Sequence, residues 1–147
     1  MSQPSVIFLA SRQEASAPQL VAHGPRPPTP LFECAGLEPL KMATLLTLCS
    51  GGNVRDHAAV AARCPKVVAD GGPQGPWVFP FPAELANLLA ALDADRRRHV
   101  ASRWARTDEW SIPAEETAQF CAWFSDLCDF ITSHRGAPAE MWVWLAL

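Results

Sequence analysis

SVIFLAS, at residues 5–11, decides the fold class because it has the composition of a buried β-strand. Its run of apolar residues, several of them β-branched or aromatic, favours a strand covered on both faces. MWVWLAL, at residues 141–147, is a second short apolar run, rich in Trp and Val. We expect these two segments to pair, so that both ends of the chain join one small sheet.

Helical periodicity dominates the sequence between these two strands. Apolar spacing and end signals predict helices over residues 36–52, 53–66, 82–92, 95–106 and 112–136. We expect Asn53 to cap the second of these helices, Asp93 or Asp95 the fourth, and Ser111 the fifth. The third and fourth are expected to form a helical hairpin. The predicted fold is therefore α+β, with four or five helices packed on the sheet, and a mainly helical bundle is the alternative.

Prolines mark the predicted irregular segments. Residues from about 12 to 35 include five prolines and are predicted to form a surface loop. KVVAD (66–70) and PWVFPF (76–81) flank a Gly- and Pro-rich turn, which predicts a small hairpin. Because proline cannot donate to a strand ladder, Pro80 is expected to restrict its strand to an edge of the sheet.

Length and composition predict one globular domain over residues 1–147. Apolar residues make up 49% of the chain and charged residues 18%, as in ordinary soluble proteins. The net charge of −3 offers no broad positive surface for nucleic acid or an anionic membrane. The N-terminus lacks the basic residues of a secretory signal, and no apolar run is long enough to span a bilayer. We expect a cytoplasmic protein that binds neither nucleic acid nor membranes.

No motif of an enzyme or of a metal site is present in the sequence. The five cysteines form no CxxC pair and no zinc-type spacing with the histidines, so free buried thiols are expected, with no metal and no cofactor. Phosphate-loop, dinucleotide-binding and GxSxG patterns are absent. No catalytic residue is assigned. An alternative is a small enzyme that uses Asp56 and His57 with Cys49 or Cys64 in a pocket.

Basic residues concentrate in RRRH, at 96–99, with Arg103 and Arg106 following. Three consecutive arginines spread around much of a helix circumference, and acidic residues flank them on both sides. The pattern therefore favours a solvated and locally neutralised face over a phosphate-binding one.

Tryptophan is abundant, with six residues in the chain. In WARTDEW, at 104–110, Trp104 is expected to anchor helix packing and Trp110 to seal the following turn. The helix over 112–136 carries more aromatic residues than one apolar stripe needs, and Trp142 and Trp144 share a face of the last strand. Surplus aromatic residues are typical of interface centres. The candidate partner-binding residues are Trp110, Trp123, Phe130, Trp142 and Trp144.

These observations favour a small, non-catalytic protein-protein interaction module. An immunity or antitoxin protein of bacterial type, which occludes a toxin, is one example of this class. The alternatives are the small enzyme with an Asp, His and Cys pocket, and a homodimer whose association is itself the role.

Overall fold

A computed structural model describes residues 3–146, and Met1, Ser2 and Leu147 lie outside the described residues. The chain divides into two compact units, each assembled from separate segments. Unit 1 contains residues up to Pro39, Pro65–Pro82 and the segment from Ala137 onwards, and unit 2 contains Leu40–Cys64 and Ala83–Gly136. The expectation of a single domain stays a prediction.

Unit 1 is built on a five-stranded antiparallel sheet. Its strands are β1 (Pro4–Ala10), β2 (Leu31–Ala35), β3 (Ala69–Asp70), β4 (Trp77–Pro80) and β5 (Glu140–Leu145). They are arranged in the order β2-β1-β5-β4-β3. The predicted pairing of the two chain ends is confirmed, since β1 and β5 lie side by side at the centre. The predicted hairpin of β3 and β4 is also confirmed.

Both faces of the central strand pair are buried. Phe8 lies opposite Trp142, and Ile7 opposite Val143, in the antiparallel register of β1 and β5. All four side chains are fully buried. Because successive side chains of a strand point to opposite faces, this pattern matches a strand covered on both sides.

The prediction of a loop over residues 12–35 is wrong for most of this segment. Two short helices, α1 (Arg12–Ala15) and α2 (Pro18–His23), lie there, and β2 begins at Leu31. Ser11 and Glu14 form a reciprocal capping box at α1, with hydrogen bonds of 3.1 and 3.0 Å. The longest irregular stretch of this segment is residues 24–30, as the clustered prolines there predict. With α1 and α2, the described residues form seven α-helices. Together with the sheet, these helices confirm the α+β fold class.

The two short helices contribute to the core of unit 1. Ala15 of α1 and Val21 of α2 are buried in a cluster with Phe8 and Trp142 of the sheet. Pro18 occupies the first turn of α2, where its missing N–H costs no hydrogen bond. Proline therefore starts a helix here.

Pro80 does not place its strand at a sheet edge, since β4 lies between β5 and β3. The neighbouring Phe81 N–H donates to Met141 on the β5 side, so the nitrogen of Pro80 points to the opposite side. On that side of β4, strand β3 pairs only with Trp77 and Val78, and it does not extend alongside Pro80. The missing N–H therefore faces no partner strand.

Unit 2 contains five α-helices. They are α3 (Pro39–Cys49), α4 (His57–Ala61), α5 (Ala83–Ala90), α6 (Ala94–Ala105) and α7 (Thr117–His134), the last preceded by a 3-10 turn over Ala114–Glu116. Both α5 and α6 pack on α7 and make few contacts with each other, so the expected helical hairpin is wrong. The side chains of α3 from Lys41 to Leu48 are all buried, so α3 is covered around its whole circumference.

The capping residues correct one of the sequence expectations and decide between two alternatives in another. Asp56, and not Asn53, caps α4 by accepting a hydrogen bond of 3.2 Å from Ala59 N–H. Asp93, and not Asp95, caps α6 through Arg96 N–H at 2.8 Å. Among residues 3–146, no helix has the length and hydrophobicity needed to cross a bilayer.

Candidate functional site

An aromatic cluster in unit 2 surrounds Trp104, which is fully buried. Its ring lies 5.2 Å from that of Trp110 in an edge-on arrangement and 6.0 Å from that of Trp123 in a stacked one. Phe120 and Phe124 complete the cluster, with ring distances of 5.7 and 5.8 Å to Trp104. Trp104 thus anchors helix packing, as predicted from WARTDEW.

Polar contacts fix the tryptophans of this cluster. The Trp104 indole Nε1 donates a 3.0 Å hydrogen bond to the backbone carbonyl of Lys41. The Lys41 ammonium lies 4.0 Å from the centre of the Trp110 ring, a cation–π geometry. Trp110 is half-buried, and within residues 3–146 its buried Nε1 has no hydrogen-bond partner.

The other candidate partner-binding residues differ in exposure. Trp123 and Phe130 of α7 are half-buried, and the Phe130 ring lies 4.6 Å from that of His134. Trp144 is half-buried and donates through Nε1 to the Val21 carbonyl at 2.9 Å. Trp142 is fully buried and offers no surface to a partner, so its assignment is corrected. For the remaining four residues, partner binding stays a prediction.

A cleft of about 420 Å³ lies within unit 2. Its apolar lining comes from Leu40, Leu48, Val54 and Val60. Leu48 and Val60 are buried, whereas Leu40 is 42% exposed at the start of α3. The cleft therefore has a covered aliphatic floor and an accessible aliphatic edge.

Charged side chains form the rim of this cleft. Arg55, Arg103 and Arg106 contribute positive charge, and Asp108 and Glu109 contribute negative charge. The three arginines are exposed. Glu109 is half-buried, and its Oε1 lies 3.4 Å from the hydroxyl of Thr44 in the cleft lining. That hydroxyl donates a shorter hydrogen bond of 2.9 Å to the Leu40 carbonyl.

The turn after α6 positions the acidic part of the rim. The carbonyl of Thr107 accepts hydrogen bonds from the N–H groups of Trp110 at 3.1 Å and Ser111 at 2.8 Å. Ser111 has a φ of +46° and donates its hydroxyl to the Asp108 carbonyl, so it closes this turn. The expectation that Ser111 caps the following helix is wrong, because its side chain is directed back into the turn.

Of the residues named in the enzyme alternative, the cleft lining includes His57 but not Asp56, Cys49 or Cys64. His57 lines the cleft, but the Asp56 carboxylate is used as the cap of α4. Burial raises the pKa of Cys49 to about 11, and it also raises the pKa of Cys64. A raised pKa keeps a thiol protonated and therefore a poor nucleophile at neutral pH.

The RRRH segment, at 96–99, does not contribute to the cleft lining. Arg97 pairs with Asp129 at 2.7 Å, and Arg98 lies 3.5 Å from Asp95. This confirms local neutralisation for these two arginines. Arg103 and Arg106 follow this segment in the sequence. Only their spacing of three residues indicated that the two side chains share a face of one predicted helix.

No family model, no curated protein and no solved structure matches this chain. The function therefore has to be argued from the residues of the site. Within the described part of the chain, no group of three or more His, Cys, Asp or Glu side chains could hold a metal ion.

Proposed function

We propose that this chain is a non-catalytic protein-binding module and that the cleft of unit 2 is its contact surface. The observation that carries the proposal is the pairing of an exposed aliphatic residue, Leu40, with three exposed arginines around a buried aliphatic floor. Arginine is enriched at protein interfaces, where its charged group hydrogen-bonds while its stem packs on apolar atoms.

The character of the lining favours a protein over an enclosed small molecule. Small-molecule sites bury most of their ligand among predominantly apolar side chains, with few polar groups. Here the rim consists of exposed charged residues, namely Arg55, Arg103, Arg106 and Asp108. Such a rim around an apolar centre is the usual anatomy of a protein interface.

The chemistry of the nearby side chains supports binding over catalysis. The thiol of Cys49 has a pKa of about 11 because it is buried, so it is protonated at neutral pH. Asp56 is held by Ala59 N–H and supports a helix. Neutralisation of a toxin by occlusion, as in an immunity protein, is one form that a non-catalytic binding function takes.

Native mass spectrometry of the tagged chain, isolated gently from its own cells, tests this proposal. The chain offers a matched pair of variants, because Leu40 and Val67 are 42% and 43% exposed and only Leu40 lines the cleft. We expect a stoichiometric protein partner with the unmodified chain and with Val67→Glu. Leu40→Glu is expected to lose the partner while keeping its melting temperature, since a glutamate is favourable near the start of a helix.

Two results would overturn the proposal. A chain that is monomeric and without a partner in its own cells would remove the binding function. A partner that Leu40→Glu retains as well as Val67→Glu does would place the contact outside the cleft. A doubled mass with no other protein would instead indicate the homodimer.

A further inference from the structure

We propose that the cleft of unit 2 holds an acidic peptide segment that carries an aliphatic side chain. Carboxylates of the segment pair with Arg55, Arg103 and Arg106, and its aliphatic side chain packs on the floor between Leu40 and Leu48. This inference rests on the proposed function, since it names the chemistry of the partner at the same cleft.

The charge of the rim contrasts with that of the whole chain. Three arginines face two acidic residues in the lining, whereas the chain as a whole carries a net charge of −3. One of the two acidic residues, Glu109, is half-buried against the Thr44 hydroxyl. The lining is thus locally positive on an acidic protein, and it complements a negatively charged partner.

The arginines of the rim are not used internally. Within residues 3–146, the guanidinium groups of Arg55, Arg103 and Arg106 have no ion pair and no hydrogen bond. Arg97, which lies on α6 as Arg103 does, shows the opposite arrangement, since it binds the Asp129 carboxylate at 2.7 Å and the Ser125 hydroxyl at 3.3 Å. The donors of the rim arginines are therefore available for carboxylates, which guanidinium groups bind in bidentate geometry.

The floor of the cleft determines the second part of the partner's chemistry. Leu48 and Val60 are 7% and 3% exposed, so they form a covered floor, and Leu40 extends the apolar surface to the edge. Burying an aliphatic side chain here removes apolar area from water on both partners. A segment with an aliphatic residue among acidic ones therefore uses the floor and the rim together.

An acidic peptide fits this lining better than a nucleic acid does. Single-stranded nucleic acids bind to aromatic side chains on which bases stack, and the lining contains none of the tryptophans or phenylalanines. Asp108 and Glu109 would also face a continuous phosphate backbone, whereas carboxylates of a peptide can be spaced to avoid them.

Selection from a phage-displayed library of short random peptides tests this inference on the full chain. We expect enriched peptides to contain Asp or Glu around a Leu, Ile or Val. Binding of synthetic versions, measured by fluorescence anisotropy, is expected to weaken by about tenfold or more in Arg103→Glu with Arg106→Glu. Binding is also expected to weaken with rising salt.

A double variant with the same change of net charge is the control. Arg12 and Arg96 are exposed, lie in the first turns of α1 and α6, and are not part of the cleft lining. Arg12→Glu with Arg96→Glu is expected to keep peptide binding. Arg103→Gln with Arg106→Gln removes the two positive charges without introducing negative ones. The melting temperatures of all variants show whether a loss of binding reflects a lost contact or misfolding.

Four outcomes overturn the inference. The first is enrichment of neutral or basic peptides, and the second is equal loss of binding in both double glutamate variants. The third is a selection that enriches no peptide, together with stabilisation by inorganic phosphate. If phosphate raised the melting temperature and this rise required Arg103 and Arg106, the ligand would be a small anion. A natural partner that needs Leu40 but tolerates Arg103→Glu with Arg106→Glu would refute the acidic ligand and leave the proposed function standing.

Discussion

The indole Nε1 of Trp142 donates a 2.9 Å hydrogen bond to the backbone carbonyl of Ala10, and the tryptophan side chain is fully buried. Trp142 lies on β5 and Ala10 at the end of β1, so this contact fixes one end of the central strand pair. A buried carbonyl needs a donor, and the indole supplies it from the core. Trp142 thus stabilises the sheet of unit 1.

Trp142→Phe tests this hydrogen bond. The substitution keeps an aromatic ring but leaves the Ala10 carbonyl without its indole donor, and we expect the free energy of unfolding to fall by about 1–3 kcal/mol. Urea denaturation measures the change. Trp144→Phe is the matched control, because its indole makes a similar 2.9 Å bond to Val21 from a half-buried position. Its loss is expected to be smaller, since water can replace the donor there. Equal losses would contradict the argument.

Trp104→Ala tests the aromatic cluster of unit 2. Trp104 is fully buried and contacts the rings of Trp110, Trp123 and two phenylalanines. We expect a loss of about 3–5 kcal/mol in the free energy of unfolding, because a large cavity is created in the core. Near-ultraviolet circular dichroism should weaken as the cluster loses its packing. Trp123→Ala removes a half-buried ring and should cost clearly less; a cost as large as that of Trp104→Ala would show that the cluster centres elsewhere.

Asp93→Ala tests the cap of α6. The Asp93 carboxylate accepts a 2.8 Å hydrogen bond from Arg96 N–H, and its removal is expected to cost about 1 kcal/mol. Asp95→Ala is the control: Asp95 makes only an exposed 3.5 Å ion pair with Arg98, and such pairs contribute little. Thermal unfolding of both variants gives the comparison. A larger loss for Asp95→Ala would reverse the assignment of the cap.

The strands at the chain ends were predictable because their signal is local. Runs such as SVIFLAS have a composition that suits a strand wherever they pack, and the expected pairing of the two chain-end runs is the observed pairing of β1 with β5. The sequence analysis did not predict α1 and α2, because the clustered prolines of this region are typical of a loop. Ser11 followed three residues later by Glu14 is a capping signal, and it could have located α1.

The cleft was not predictable from the sequence, because it depends on tertiary packing. Arg55 and Arg103 lie far apart in the chain, and only the packing of unit 2 brings them to one rim. The interpretation of the aromatic residues failed at Trp142 for a related reason. Alternation along a strand shows which side chains share a face, but it does not show that both faces of β5 are covered.

Buried thiols predict a loss of stability at alkaline pH. Burial raises the pKa of Cys49 from 9.0 to about 11, and that of Cys34 also to about 11. Well below pH 9 both thiols are protonated in the folded and the unfolded chain. Between pH 9 and 11 the unfolded chain releases these protons while the folded chain retains them, so the unfolded chain becomes more favourable. The free energy of unfolding is therefore expected to fall as the pH rises, by at most about 1.4 kcal/mol per pH unit for each thiol.

Cys49→Ala isolates the contribution of one thiol. Urea denaturation from pH 8 to 10.5 should give a shallower decline of stability for this variant than for the unmodified chain, whatever the packing cost of the substitution at pH 8. Alkylation by iodoacetamide at pH 8 is expected to be slow at Cys49 in the folded chain and to accelerate in urea, because only the thiolate reacts. Identical slopes with pH, or rapid alkylation of the folded chain, would show that Cys49 ionises readily. Rapid alkylation would also support the alternative of a small enzyme that uses Cys49 with His57.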